Sequence, residues 1–156
     1  QKLVKTLVET GFPAARLIVE ITETALAENL DMARSTFASL RNQGVRIALD
    51  DFGTGYASLG QLRDLPFDTI KVDRDYVSKL LNGEDDGTMA QALLQLSQSL
   101  GLPVVAEGVE TQDIADHLAR LNCASAQGRL YGPSLIAADV LTLLTPAAPQ
   151  ARSAQG

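Results

Sequence analysis

Apolar residues recur along the chain in two rhythms, and the switching between them predicts the fold. Leu3, Val4, Leu7 and Val8 follow helical spacing, and Gly11 stands where a helix end takes a left-handed residue. The dense apolar run RLIVEIT (16–22) then reads as a strand. Helical spacing returns over 31–44, with Met32, Phe37 and Leu40 on or near one face and Gly44 at the end. VRIALD (45–50) and DTIKVD (68–73) are two more strands, separated by a short helical piece that Pro66 stops. Helices over 75–81 and 88–100 flank the acidic turn NGEDDG (82–87), and Met89, Leu93, Leu96 and Leu100 form the core stripe of the second. PVVAEG (103–108) is a fourth strand. Thr111 caps a helix that carries Ile114, Leu118 and Leu121. A weaker strand around 124–130 precedes a last helix over 137–144.

Strands dense in Val, Ile and Leu that alternate with helices imply an α/β fold built on a parallel sheet. This pattern alone fits either part of a TIM-like barrel or an open doubly wound sheet. One domain is expected over 1–144. The tail TPAAPQARSAQG (145–156) has no periodicity and is expected to be disordered.

Composition narrows the function. The 156 residues carry a net charge of -6, which argues against a nucleic acid polymer as partner. A small anionic ligand is compatible with that charge if a bound cation supplies local positive potential. A single cysteine, Cys123, rules out an internal disulfide and fits a reducing, cytoplasmic setting. No apolar run is long enough to span a bilayer, so no membrane contact is expected of this segment. The chain starts without Met inside an amphipathic pattern, which reads as a cut end.

The candidate chemistry lies where the strands stop. LIVE ends at Glu20, IALDD at Asp50 and Asp51, and VVAE at Glu107, while Lys71 and Asp73 close TIKVD. In parallel α/β folds these C-terminal strand ends share one rim, where catalytic groups gather. Buried carboxylates need a counter-charge, and all-oxygen donors suit a hard cation, Mg²⁺ or Mn²⁺, better than zinc. Two ions sharing one aspartate would explain why two aspartates are adjacent, and such pairs act on phosphoryl groups. Each residue also has a plainer reading. Asp50–Asp51 can be a turn, Glu20 a strand-end charge, Lys71 an exposed strand residue, and Glu107 and Glu110 helix-start acids. Their conjunction at every strand end is what favours a site. His117 has no second ligand near it in sequence, and Cys123 reads as a small core residue. DFG (51–53) lacks the companion kinase loops, and GTG (53–55) does not match a dinucleotide fingerprint.

At these residues the chain resembles the EAL domains, bacterial cyclic-di-GMP phosphodiesterases. The resemblance rests on VEITET (19–24), ALDDFGTGYASL (48–59), DTIKVDRDYV (68–77), VVAEGVET (104–111) and QGRLYGP (127–133). It implies an α/β, (β/α)8 TIM-like barrel with one antiparallel strand, of which this chain holds about the last four to five βα units. It also implies hydrolysis of cyclic-di-GMP to linear pGpG with two divalent ions, Mg²⁺ or Mn²⁺. Glu20 and Asp50 would hold the first ion; Asp50, Asp51 and Glu107 would hold the second. Lys71 would hold the attacking water or balance phosphate charge. Glu23 and Glu110 would support the loop after Asp51, and Asp73 and Gln127 would line or support the site. Gly53 and Gly55 are expected to let that loop move over the phosphate.

The Glu-Ala-Leu stretch and a metal-binding asparagine of the family have no counterpart here, so the chain alone is expected to be inactive or much weakened. Arg129 stands where the family has an aromatic, and the segment before Pro133 is one residue short. A second class stays open, a non-catalytic cyclic-di-GMP receptor or interaction module. A third would use Lys71 as a Schiff-base lysine without metal. A homodimer, with the turn 82–87 as a candidate surface, and an upstream sensor or diguanylate cyclase domain are compatible partners.

Overall fold

The computed structural model describes residues 2–53, 59–81 and 85–144. The expected tail (145–156) and Gly55 lie outside them. Five strands form one sheet: β1 (Ile18–Thr22), β2 (Arg46–Phe52), β3 (Thr69–Val72), β4 (Val104–Ala106) and β5 (Ser125–Ala126). They lie in the order β1-β2-β3-β4-β5, and all four pairings are parallel. A doubly wound sheet reverses its strand order at a switch point. This sheet does not, so it has the sequential order of a TIM-like barrel.

The helices are α1 (Lys2–Thr10), α2 (Glu23–Glu28), α3 (Leu30–Asn42), α4 (Leu59–Asp64), α5 (Arg74–Val77), α6 (Asp85–Ser99), α7 (Gln112–Arg120) and α8 (Ala137–Leu144). Helix α3 packs on β2, and α6 packs on β3 and β4. Side chains alternate along a strand, so one face of the sheet presents Ile47, Leu49, Ile70, Val72, Val104 and Ala106 to these helices. Phe37, Leu94 and Leu118 complete that core from the helix side. The same alternation and register carry Glu20, Ala48, Asp50, Thr69, Lys71 and Val105 to the opposite face.

Several elements differ from the sequence expectation. Helix α2 is unforeseen: Thr22 Oγ1 accepts the Ala25 amide at 3.3 Å and starts a helix at the end of β1. Asn29 Oδ1 then accepts the Met32 amide at 3.0 Å and caps α3. Met32 and Met89, expected in core stripes, are 60% and 50% exposed; Ala33 and Ala90 take the buried positions beside them. Residues 85–87 belong to α6 rather than to a turn, and residues 82–84 lie outside the described region. Strand β5 has two residues, because a 3-10 turn over Arg129–Tyr131 begins directly after Gly128. The antiparallel strand implied by the resemblance is not among the described strands. No helix among the described residues is long and apolar enough to cross a membrane.

Candidate metal and phosphate site

Register alone brings most of the strand-end groups together. Glu20 pairs with Ala48 two residues before Asp50, and Lys71 pairs with Val105 two residues before Glu107. Gln127 follows Ala126, which pairs with Ala106. With side chains alternating, Glu20, Asp50, Lys71, Glu107 and Gln127 all project from one face at the same end of the sheet.

Asp51 breaks that parity, and its route to the site is local. Leu49 pairs with Ile70 and Phe52 with Val72, so β2 spends one more residue than β3 over this stretch. This is a β-bulge, and Asp51 at φ 54° supplies its left-handed backbone. Past the bulge, Phe52 turns back to the helix side, where it is buried. The two aspartates therefore face the same way. Carboxylate oxygens of Asp50, Asp51 and Glu107 lie within 4.8 Å of one another. The Asp51 amide also donates to Asp50 Oδ1 at 3.1 Å, which fixes their relative orientation.

Lys71 is the positive centre. Its Nζ lies 2.8 Å from Glu20 Oε2, 3.1 Å from Asp50 Oδ1 and 2.5 Å from Glu107 Oε1, with the side chain only 9% exposed. Burial by itself would lower the ammonium's pKa. Hydrogen bonds to Glu107, Glu20 and Asp50 outweigh it and hold the group above its ordinary value. A protonated amine among three acids is a poor nucleophile, which removes support from the Schiff-base reading. The Asp51 carboxyl is also held above its ordinary value. Burial raises its carboxyl pKa first, then the charges of Asp50 and Asp73, with Lys71 partly offsetting them.

The other residues singled out in the sequence have distinct neighbours. Glu23, 1% exposed, accepts the Gly53 amide at Oε2 over 3.1 Å. Gln127 Nε2 donates to Glu107 Oε1 at 2.8 Å. Asp73 caps α5 by accepting the Asp75 amide at 2.7 Å. Glu110 accepts from Arg129 at 2.7 and 3.1 Å, beside a groove also lined by Arg74 and Gly108.

Gly53 does not behave as a free hinge. A Cβ there would lie 2.7 Å from Leu93 Cδ1 and 2.9 Å from Tyr76 Cε2, so the glycine serves close packing. Sequence reading also passed over Tyr76, whose hydroxyl donates to the Gly53 carbonyl at 2.6 Å. Nothing in DRDYV marks a tyrosine for that contact. Gly108 was legible only as part of EGVE, yet its φ of 66° and an added Cβ 2.3 Å from Arg74 Cβ demand glycine.

The donor set fits a hard divalent cation. Three carboxylates, each half-buried, converge from two strands with no sulfur or imidazole among them.

Comparison with known proteins agrees with this geometry. The family model described as EAL domain matches residues 1–134. The cyclic di-GMP phosphodiesterase NbdA of Pseudomonas aeruginosa is 42% identical over 129 residues, 83% of this chain and 16% of NbdA. Among solved structures, the PaMucR phosphodiesterase in complex with c-di-GMP superposes with TM-score 0.84 and 36% identity, over 88% of this chain and 56% of that one. Klebsiella pneumoniae BlrP1 with manganese and cyclic-di-GMP gives TM-score 0.74 at 32% identity, over 83% and 33%. The chain spans about a fifth of the length of the curated relatives it matches. Its matched residues, strand order and strand-end acids lead to one assignment: the chain belongs to the EAL domain family.

Proposed function

We propose that this chain carries the metal- and phosphate-binding face of a cyclic-di-GMP phosphodiesterase that yields linear pGpG. The observation that carries this reading is the convergence of Asp50, Asp51 and Glu107 beside the Lys71 ammonium. Two divalent ions, Mg²⁺ or Mn²⁺, are the cofactors of this reading. Asp50, Asp51 and Glu107 would hold one, and Glu20 with Asp50 would contribute to the other. Such ions, when bound, supply Lewis-acid stabilisation of phosphoryl oxygens and a nucleophile at neutral pH.

The chain's own residues do the rest. Lys71 offers three N–H donors and a positive charge in a partly desolvated place, where it can orient a water or neutralise a phosphate oxygen. Its present partners Glu20, Asp50 and Glu107 are the same acids assigned to the ions, so ion binding would free its donors for the substrate. Gln127 fixes Glu107 through Oε1 and so limits its rotation. Asp73 and Glu23 hold backbone, at α5 and at Gly53 respectively. Glu110 belongs to the rim with Arg129. A cytoplasmic setting, consistent with the free Cys123, completes the reading. An attached diguanylate cyclase domain is a further part of it, supported by the relative MucR, named as bifunctional diguanylate cyclase/cyclic di-GMP phosphodiesterase.

The test is turnover of cyclic-di-GMP, followed by chromatography of pGpG, by the chain and by any longer polypeptide that carries it. Mn²⁺-dependent pGpG formation that Lys71→Met abolishes is the expected result. Tight cyclic-di-GMP binding without turnover in every such polypeptide would move the protein to the receptor class.

A further inference from the structure

The metal-binding acids of β2 depend on a backbone that an aspartate does not favour. Asp51 sits at φ 54° with a Cβ and a charged side chain, where glycine would be at ease. Something must hold the bulge against relaxation, and Gly53, two residues on, is held at both its N–H and its C=O. Glu23, at the start of α2, accepts the Gly53 N–H at 3.1 Å. Tyr76, on α5, donates its hydroxyl to the Gly53 C=O at 2.6 Å, and its ring fills the space where a Gly53 Cβ would stand. Phe52, 4% exposed, anchors the same segment in the core.

The geometry points to Tyr76 as a positioning residue for the metal site. Its hydroxyl and the Glu23 carboxylate clamp Gly53 at its C=O and its N–H, and this clamp keeps Asp50 and Asp51 on the same side of β2. Tyr76 is not one of the converging carboxylates; it acts through the backbone of Gly53. Its phenol is half-buried and donates to the carbonyl of Gly53, the residue directly after the end of β2. Without the hydroxyl the ring can still pack, but the carbonyl loses its donor and the bulge gains freedom to relax toward a regular strand. A regular strand would turn Asp51 to the opposite face.

This inference rests on the proposed metal site but is read without cyclic-di-GMP. Tyr76→Phe removes one oxygen and keeps the ring, with Tyr131→Phe, an exposed tyrosine, as control. Mn²⁺ affinity by electron paramagnetic resonance and hydrogen exchange of the Gly53 amide are measured on the wild-type chain and both variants. The expected result for Tyr76→Phe is Mn²⁺ binding weakened about five- to tenfold, with Gly53 exchange faster by a similar factor. The thermal midpoint without metal should fall by no more than about 4 °C, the size of one lost hydrogen bond. Unchanged Mn²⁺ affinity, or unchanged Gly53 exchange, overturns the clamp. A wild-type chain that binds no Mn²⁺ sinks the proposed metal site instead, and there the Gly53 exchange alone decides the clamp. Normal Mn²⁺ binding by the wild-type chain without turnover in any polypeptide that carries it counts against the phosphodiesterase reading and leaves the clamp standing.

Discussion

The ends of β2 and β4 solve one geometric problem in two ways. Each must deliver a carboxylate to the rim and then turn the chain sharply into a left-handed residue. At β4 the carboxylate belongs to Glu107 and the turn to Gly108, at φ 66°. At β2 the acid and the turn are the same residue, Asp51, at φ 54°. The β4 end is relaxed in backbone but crowded, because Arg74 leaves no room for a side chain at Gly108. The β2 end places a residue with a side chain in left-handed backbone and is held by Glu23 and Tyr76. A glycine turn brings one carboxylate to the rim per strand end, whereas a left-handed aspartate brings two adjacent ones.

The largest expected effect comes from breaking the β4 solution. Gly108→Ala combines an unfavourable φ with a Cβ 2.3 Å from Arg74 Cβ. The expected cost is about 3 kcal/mol, read as a drop in the urea midpoint. A cost below about 1 kcal/mol would mean that α5 moves aside freely, and the crowding would lose its role.

Lys71→Met comes next and tests what both strand ends share. It leaves Glu20, Asp50 and Glu107 facing one another without their common counter-ion. In the absence of metal the expected loss is about 2 kcal/mol, less than for a deeply buried pair because Glu20 is 46% exposed. Added Mn²⁺ should raise the thermal midpoint of the variant more than that of the wild-type chain, since the ion then supplies the missing charge. Equal Mn²⁺ effects in the two proteins would show that the ion and the ammonium do not share these acids.

Asp51→Asn sharpens the β2 side with a smaller effect. Asparagine tolerates left-handed backbone, so the bulge should persist while the charge near Asp50 and Asp73 disappears. The thermal midpoint without metal should rise slightly and Mn²⁺ affinity should fall by tenfold or more. A lower midpoint would show that the carboxylate of Asp51 supports the fold rather than straining it.

The sheet and its polar rim were legible because both follow a period of two. Dense apolar runs marked β1 to β4, and each run ended in the group that the register later aligned. What the sequence hid depends on contacts between distant residues. ITETALAE reads equally well as a continuing strand, and only the Thr22 cap and the burial of Glu23 and Leu26 decide for helix α2. The strand pattern alone would send Asp50 and Asp51 to opposite faces, and the bulge that unites them appears only in the pairing with β3. Gly53 looked like a hinge because glycine in a loop usually means freedom. Leu93 and Tyr76, forty and twenty-three residues away, make it a packing requirement instead.

The smallest effect is expected on the rim of β4, where Arg129 donates to Glu110 through Nε and one terminal nitrogen. Both side chains are mostly in water, 80% and 53% exposed, so their Coulomb attraction is screened and its ordering cost is not recovered by burial. Arg129→Ala should therefore change stability by only about 0.5 kcal/mol, and a double-mutant cycle with Glu110→Ala should give a coupling no larger. Gly128 beside it is the contrasting position. A Cβ there would lie within 2.3 Å of the Val109 amide nitrogen, which is backbone and cannot swing away. If Arg129→Ala instead matched Gly108→Ala in cost, the rim pair would have to be part of the fold's support, and the division between a relaxed but crowded β4 end and its solvated rim would fail.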